Sequence, residues 1–463
     1  MEIPKDLENI LLAEKPKQKI NLPQDFIDGK MYYGFSASDT DYVINSQKEM
    51  KKVEGLKENG LLPATEKLID PLFPTIEIPS YSNGRMNVQL SNTYSKIIKY
   101  LKRYLHLRND YELDLLTTWA IGTYMFRVFR YYPYLHLSGE KGSGKSTTMA
   151  ILKPIVFNGE MMVNSSAAVI YRSITLRTPT LFLDEFEKQS SRISESYKAL
   201  TDVLKTGFEK SGIVKRCAGD QYIPQKYDTY CPKVIAGINE IDDVLADRTI
   251  KIRMDRKTKD STLKRYIITS EEEIEQKKIR DELYFIGLEY AHKIHKTYEA
   301  INMNENTNLV HLNNRRFDVW SPLMAIAQVI DQDDMSLQIV SKLIELSRLN
   351  VDDMRNEDSL KNESVILATF IHELINGVYD SITPVKSPSD SNLLRFDTDD
   401  VLKEINDQKI LEQKVSKPML SRLLHEKINV RVKECYHPFH KKTKRMYEIN
   451  VAEFSESYAT LTQ

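Results

Sequence analysis

Three stretches of the chain predict an α/β fold built on a parallel, three-layer sheet. The first is YLHLSGEKGSGKSTTMAIL, Tyr134 to Leu152, where an apolar strand-like run passes through a glycine-rich turn into a helix-like run. The second is TPTLFLDEFEK, Thr178 to Lys188, an apolar run that ends in adjacent carboxylates, Asp184 and Glu185. The third is CPKVIAGINEIDDVLADRTIKIRM, Cys231 to Met254, where a buried-strand run ends in Asn239 and leads through a short helical stretch into an alternating strand. Between the first two lie the strand-like EMMVNS and the helix-like SAAVIYRSITLR, so strands alternate with helices. That order gives parallel strands joined by crossover helices, with ligands held at the carboxyl ends of the strands.

Gly139 to Ser146 reads GEKGSGKS and fits the phosphate-loop pattern G-x-x-x-x-G-K-[ST] at every fixed position. Glycines let backbone N–H groups turn inward onto phosphate oxygens, and the helix that starts near Lys145 adds its positive dipole end. Gly139, Glu140, Lys141, Gly142, Ser143, Gly144, Lys145, Ser146 and Thr147 are therefore the expected ATP-binding residues. Lys145 can reach the β- and γ-phosphates, and the Ser146 hydroxyl can ligate Mg²⁺. Asp184 at its strand tip can hold the same ion, so Ser146 and Asp184 are the expected metal residues, while Glu185 can polarise the attacking water of a hydrolase. Asn239 stands where a γ-phosphate or its water can be sensed. Arg248 can complete a neighbouring subunit's site on the outer rim of the domain. Its alternative role is to satisfy a helix C-terminus.

The chain's 463 residues are too many for one ordinary core. Lys plus Arg number 65 against 66 Asp plus Glu, which removes any wholesale electrostatic footprint for nucleic acid and leaves only local basic clusters to supply one. No apolar run is long enough to span a bilayer and MEIPKDLENILLAEK lacks a signal-peptide core, so a cytoplasmic protein without membrane partners is expected. The three cysteines make no disulfide framework.

The stretches SGEKGSGKST, SAAVIYRSITLRTPTLFLDEFE, CPKVIAGINEIDDVLADRTIKIRM and NNRRFDVWSPLMAIA together resemble the AAA+ ATPases of bacterial mobile elements and phages, relatives of the minichromosome-maintenance helicases. Among these the chain looks like the self-loading helicases and replication initiators of staphylococcal cassette and pathogenicity-island elements. The resemblance runs from about Tyr100 to the C-terminus and is most specific in the ATPase core. It implies a hexameric ring that hydrolyses ATP, translocates on single-stranded DNA and unwinds duplex. Within it Lys145, Ser146, Asp184 and Glu185 match the phosphate, Mg²⁺ and water residues, Asn239 the first sensor and Arg248 the arginine finger. Arg315 matches a second sensor on a lid helix, with Arg316 beside it as the other choice.

The implied domains are an N-terminal domain over 1–90 (a collar or partner-docking module), an AAA+ core over 91–265, a helical lid over 266–358 and a winged-helix domain over 359–463. Two elements offer DNA contacts. GIVKRC, a turn at Ala218–Asp220 and QYIPQKYDTY read as an exposed hairpin, placed like the pore hairpin of the related helicases and bearing Lys215, Arg216 and Lys226. In the C-terminal part, three helices followed by two extended arms give a winged-helix order. Lys417 and Arg422 fall on its recognition helix, and Lys441, Lys442, Lys444 and Arg445 on its wing. Either element has a plainer role, as a solvated hairpin or as a protein contact. Cys435, His437 and His440 crowd the same wing, but with no fourth ligand at usable spacing they read as wing residues. The function implied is a DNA helicase or replication initiator that acts on single-stranded and duplex origin DNA, with replication proteins of the host or element as further partners. Its rivals are an origin-binding ATP switch that unwinds nothing and a remodeller of protein partners.

Overall fold

The computed structural model describes residues 18–461 other than 60, 64–71, 164, 185, 187–194, 219–222, 238–240, 242, 257–262, 304–308, 313, 362, 380, 388–389, 391, 412–413, 429 and 439. The chain divides into two compact units, Met1–Asn350 and Val351–Gln463.

The first unit begins with β1 (Gln18–Ile20), β2 (Gln24–Ile27), β3 (Lys30–Ala37), β4 (Thr40–Asn45), β5 (Met50–Lys52) and β6 (Leu61–Pro63). Strands β2 to β5 form an antiparallel meander, and β1 pairs with β6. Two-residue turns join β2 to β3 and β3 to β4, and their residues Asp28, Gly29, Ser38 and Asp39 all have positive φ, the twist that tight hairpins need. Tyr33 of β3 is fully buried and meets Tyr284 edge-on with ring centroids 5.2 Å apart. Gln24 Nε2 donates to the Thr123 carbonyl at 3.2 Å, and the Tyr33 hydroxyl donates to that of Tyr124. The described residues of this segment thus belong to the same compact unit as the parallel sheet that follows. Their aromatic face finds its partners on elements far along the chain, which alternation within the segment does not disclose.

Next come α1 (Ile78–Ser82), α2 (Leu90–Lys102), α3 (Tyr111–Gly122), β7 (Tyr134–Ser138), α4 (Lys145–Leu152), β8 (Gly159–Val163), α5 (Ala167–Arg177), β9 (Thr180–Asp184) and α6 (Glu195–Thr206). They are followed by β10 (Ile213–Ala218), β11 (Ile223–Asp228), β12 (Lys233–Gly237), α7 (Asp243–Ala246) and β13 (Thr249–Arg253). The central sheet has the order β13-β7-β12-β9-β8 with every neighbouring pair parallel. This is the expected alternation of strand and helix. Because β12 lies between β7 and β9, the strand carrying the glycine loop and the acidic strand are next-but-one neighbours. Leu135, Leu137, Leu181, Phe182, Val234 and Ile250 fill the sheet's interior at 0–1% exposure.

The long α8 (Ser270–Met303), α9 (Asn314–Asp333) and α10 (Ile339–Lys361) occupy the region expected to be a lid. They do not stand apart. Thr93 and Lys96 of α2 reach Glu282 of α8 at 3.0 and 2.6 Å, and Lys342 of α10 reaches Asp114 of α3 at 3.1 Å. A Cβ on Gly122 would lie 2.7 Å from Ile326 of α9, so α3 and α9 pack at glycine distance. Helices on both sides of the glycine loop in sequence therefore share one layer.

The second unit holds α11 (Glu363–Ile375), β14 (Val385–Lys386), β15 (Leu393–Asp397), α12 (Thr398–Asp407), α13 (Lys417–Ile428), β16 (Arg431–His437), β17 (Lys442–Asn450) and α14 (Val451–Leu461). Its antiparallel sheet runs β14-β15-β17-β16. Leu367, Ile371, Phe396, Val401, Leu420, Leu424 and Tyr447 make its core. Strand β15 and helix α14 are additions to the three helices and hairpin expected from sequence. The LLRFD run is too short for its period to announce a strand, and its pairing with β17 is long-range.

Candidate nucleotide site and nucleic-acid surfaces

Strand β7 delivers the chain into the loop Gly139–Gly144, and α4 leaves from it. Gly142 and Gly144 have φ of 82° and 96°, left-handed values that favour glycine. A Cβ on Gly139 would stand 2.3 Å from the Met254 carbonyl oxygen, so that position needs glycine for space. Lys145 at the helix start curls back, its ammonium donating to the carbonyls of Gly139 at 2.6 Å and Glu140 at 3.0 Å. The Ser143 hydroxyl is buried inside the loop, and Thr147 is exposed at its rim.

From the carboxyl end of β9, Asp184 accepts a hydrogen bond from the Ser146 hydroxyl at 2.8 Å. Residues 38 positions apart thus meet. A hydroxyl and a carboxylate side by side are hard oxygen donors, and they fit Mg²⁺ with water completing its shell. Glu185 and Asn239 lie outside the described residues.

Arg256, absent from the expected set, belongs to this neighbourhood. Its guanidinium donates to the Lys141 carbonyl at 3.2 Å and pairs with Glu140 at 3.3 Å. The available signal was topological: β13 runs parallel beside β7, so residues that follow one strand lie next to residues that follow the other.

The remaining arginines stand at the opposite end of the sheet. The Arg248 carbonyl accepts from the Tyr134 N–H at 3.1 Å, which fixes it at the amino end of β7, roughly 13 Å of strand away from the loop. Its guanidinium donates to the carbonyls of Lys205 at 3.2 Å and Val244, near the ends of α6 and α7. This is the helix-end contact named above as its alternative role. Arg316 is buried and donates to the Thr249 carbonyl at 2.9 Å, also at an amino end. Arg315 is 40% exposed, pairs with Asp318 at 3.5 Å and lies over the rings of Tyr131 and Phe208. Neither Arg315 nor Arg316 approaches the glycine loop of its own chain. The two candidates for a second sensor thus stand with α9 at the end of the sheet away from the loop of their own chain.

The hairpin β10–β11 is antiparallel, with Lys215 directly opposite Lys226 and Arg216 opposite Gln225. Residues directly opposite share a face, so Lys215 and Lys226 make an exposed like-charge pair, while Arg216 points to the other face. Pro224 sits in this exposed arm as expected. The base of the hairpin is firmly held. Arg127, 3% exposed, donates to Asp228 at 2.6 Å. Burial opposes the arginine's charge, but Asp228 and Asp25 outweigh it and leave the pKa raised. Lys210 beside them has its pKa lowered by burial.

In the second unit Arg422 on α13 is exposed, as are Lys441, Lys442 and Arg445 at the β16–β17 turn and on β17. Arg445 lies 3.8 Å from Glu434. Lys417 is tied to Asp399 at 2.8 Å. Lys444 departs from the sequence expectation. Its ammonium is hydrogen-bonded to Asp397, a carboxylate only 3% exposed, so it is paired within the unit. Burial raises the Asp397 pKa, but Lys444 and the Asp399 N–H together lower it further than that. Among the described residues no helix is long and apolar enough to cross a membrane.

No protein-family model matches the chain, and no curated protein matches it. Among solved structures it is similar to the active helicase Cch of SCCmec type IV, at 12% identity and a TM-score of 0.39, over 99% of this chain and 83% of that one. It is also similar to the C-terminal region of NrS-1 in its apo A form, at 14% identity and a TM-score of 0.27, over 66% and 87% of the two chains. Cdc6p from Pyrobaculum aerophilum follows at 14% and 0.20, over 78% and 94%.

Proposed function

We propose that the chain is a DNA-dependent ATPase of the AAA+ kind, a helicase or replication initiator of a mobile element that works as a hexameric ring on single-stranded DNA. The observation that carries the reading is the 2.8 Å contact between Ser146 and Asp184 beside a glycine loop whose lysine starts a helix. In this reading the loop N–H groups and Lys145 bind the phosphates, with Lys145 leaving the Gly139 and Glu140 carbonyls to do so. Ser146 and Asp184 hold Mg²⁺, which when bound neutralises the charge that builds on the phosphates. Glu185 orients the attacking water and Asn239 senses the γ-phosphate.

Arg248 and Arg315 act in trans. Both lie at the end of the sheet away from their own loop, where a ring would bring the next subunit's nucleotide. Hydrolysis moves the β10–β11 hairpin, whose Lys215, Arg216 and Lys226 grip single-strand phosphates. The second unit serves as a winged helix that contacts duplex through Arg422, Lys441, Lys442 and Arg445. The protein works in the cytoplasm.

Strand displacement of a forked duplex by the full chain with ATP tests the proposal. Unwinding that Lys145→Ala abolishes supports it. Hydrolysis and DNA binding without displacement would leave an assembly switch, and hydrolysis indifferent to DNA would point to a remodeller of proteins.

A further inference from the structure

The fold gathers a group of ligating side chains that the nucleotide chemistry does not use. Asp397 ends β15, His437 ends β16, and His440 lies in the turn that leads to β17. Each offers a ligand atom, and these atoms all lie within 4.8 Å of one another. The two imidazole rings are 4.5 Å apart between centroids, and the His440 N–H donates to His437 Nδ1 at 3.4 Å. Asp397 and His437 are 3% and 5% exposed, while His440 faces solvent and leaves a path of entry. The sequence offered Cys435, His437 and His440 with no further partner. The strand missed there, β15, brings in the carboxylate.

We propose that Asp397, His437 and His440 form a zinc site with three protein ligands and an open fourth position. Two imidazole nitrogens with one carboxylate suit Zn²⁺ and its transition-metal neighbours, whereas Mg²⁺ and Ca²⁺ favour sites made of oxygen alone. The place already holds a cation, because the Lys444 ammonium rests on Asp397 Oδ2. Asp399 and Asp400, in the first turn of α12, add negative charge nearby. Zn²⁺ competes with that ammonium for the carboxylate. On binding it ties the β16–β17 turn to the amino end of α12 and releases Lys444 toward solvent beside Lys441 and Lys442.

The test uses the full chain, stripped of metal and free of nucleotide, titrated with ZnCl₂ against a chromophoric chelator and separately with CoCl₂ by absorption. One saturable equivalent is expected, together with a Co²⁺ spectrum of low coordination number and no thiolate charge-transfer band. His440→Gln, at an exposed position, should abolish that equivalent and leave the melting of the metal-free protein unchanged. Lys444→Met should tighten Zn²⁺ binding, because the competing ammonium is gone, and Zn²⁺ should restore any melting temperature the substitution costs. Absence of a saturable equivalent, its persistence in His440→Gln, a thiolate band that assigns the ion to a cysteine, or weaker binding in Lys444→Met would each overturn the site.

Discussion

Lys145→Ala separates the lysine's part in the fold from its part in the chemistry. In the structure its ammonium donates to the carbonyls of Gly139 and Glu140 from a half-buried side chain. A hydrogen bond from a charged donor contributes about 1.5–3 kcal/mol, at the low end where solvent screens it, so losing this pair costs the fold about 3 kcal/mol. In a unit that extends to Asn350, that lowers the melting temperature by no more than about 5 °C. Against phosphate the same charge acts in a loop of aligned N–H groups, where losing one donor costs on the order of 10²–10³ in rate, or roughly 3–4 kcal/mol. The assay pairs phosphate release with thermal melting, with and without Mg²⁺-ATP. Wild type at ATP about 100 times its dissociation constant should gain about 2.7 kcal/mol of stability from binding, and the variant much less. Turnover within about tenfold of wild type in a folded variant would limit the lysine's contribution to about 1.4 kcal/mol and refute the assignment.

Four other outcomes are expected. Glu112 is 7% exposed, and burial raises its pKa to about 7, partly offset by the N–H groups of Asn109 and Arg108. The unfolded carboxyl ionises near 4.5, so stability present below that pH is lost as pH rises to about 7, by about 3 kcal/mol. Glu112→Gln should remove this dependence in melts from pH 4 to 8, and an unchanged profile would clear Glu112. Asp228→Asn removes the charge paired with the buried Arg127 at 2.6 Å, leaving Asp25 and a neutral acceptor, and should destabilise the first unit by about 1–3 kcal/mol in a denaturant melt. Lys226→Gln relieves the like-charge pair with Lys215, so the hairpin should tolerate it. Single-strand affinity should nevertheless fall, with the salt slope flattened by about 0.7, read by anisotropy across a salt series. Arg248→Ala mixed with Lys145→Ala should recover part of the ATPase rate, since some interfaces then hold one intact half from each chain; no recovery in confirmed mixed oligomers would remove the trans role.

How much was legible follows the range of the interactions. The glycine loop, its lysine, the helix after it and the acidic strand tip are local patterns, because backbone torsion and strand period dictate them within a few residues. The hairpin with Pro224 in its exposed arm was readable for the same reason. The sequence by itself therefore determined the groups on offer: the N–H groups of a glycine-rich loop, Lys145, Ser146 and Asp184. Only the tertiary structure decided where that chemistry stands. Strand order set Arg256 beside the loop and put Arg248 and Arg315 at the far end of the sheet. Pairing of β15 with β17 set Lys444 against Asp397 and brought that carboxylate to two histidines. Aromatic packing of Tyr33 on Tyr284 joined the β2–β5 meander to α8. These are contacts between residues scores of positions apart, and no local period records them, because their free energy comes from burial and pairing that exist only once the chain has closed on itself.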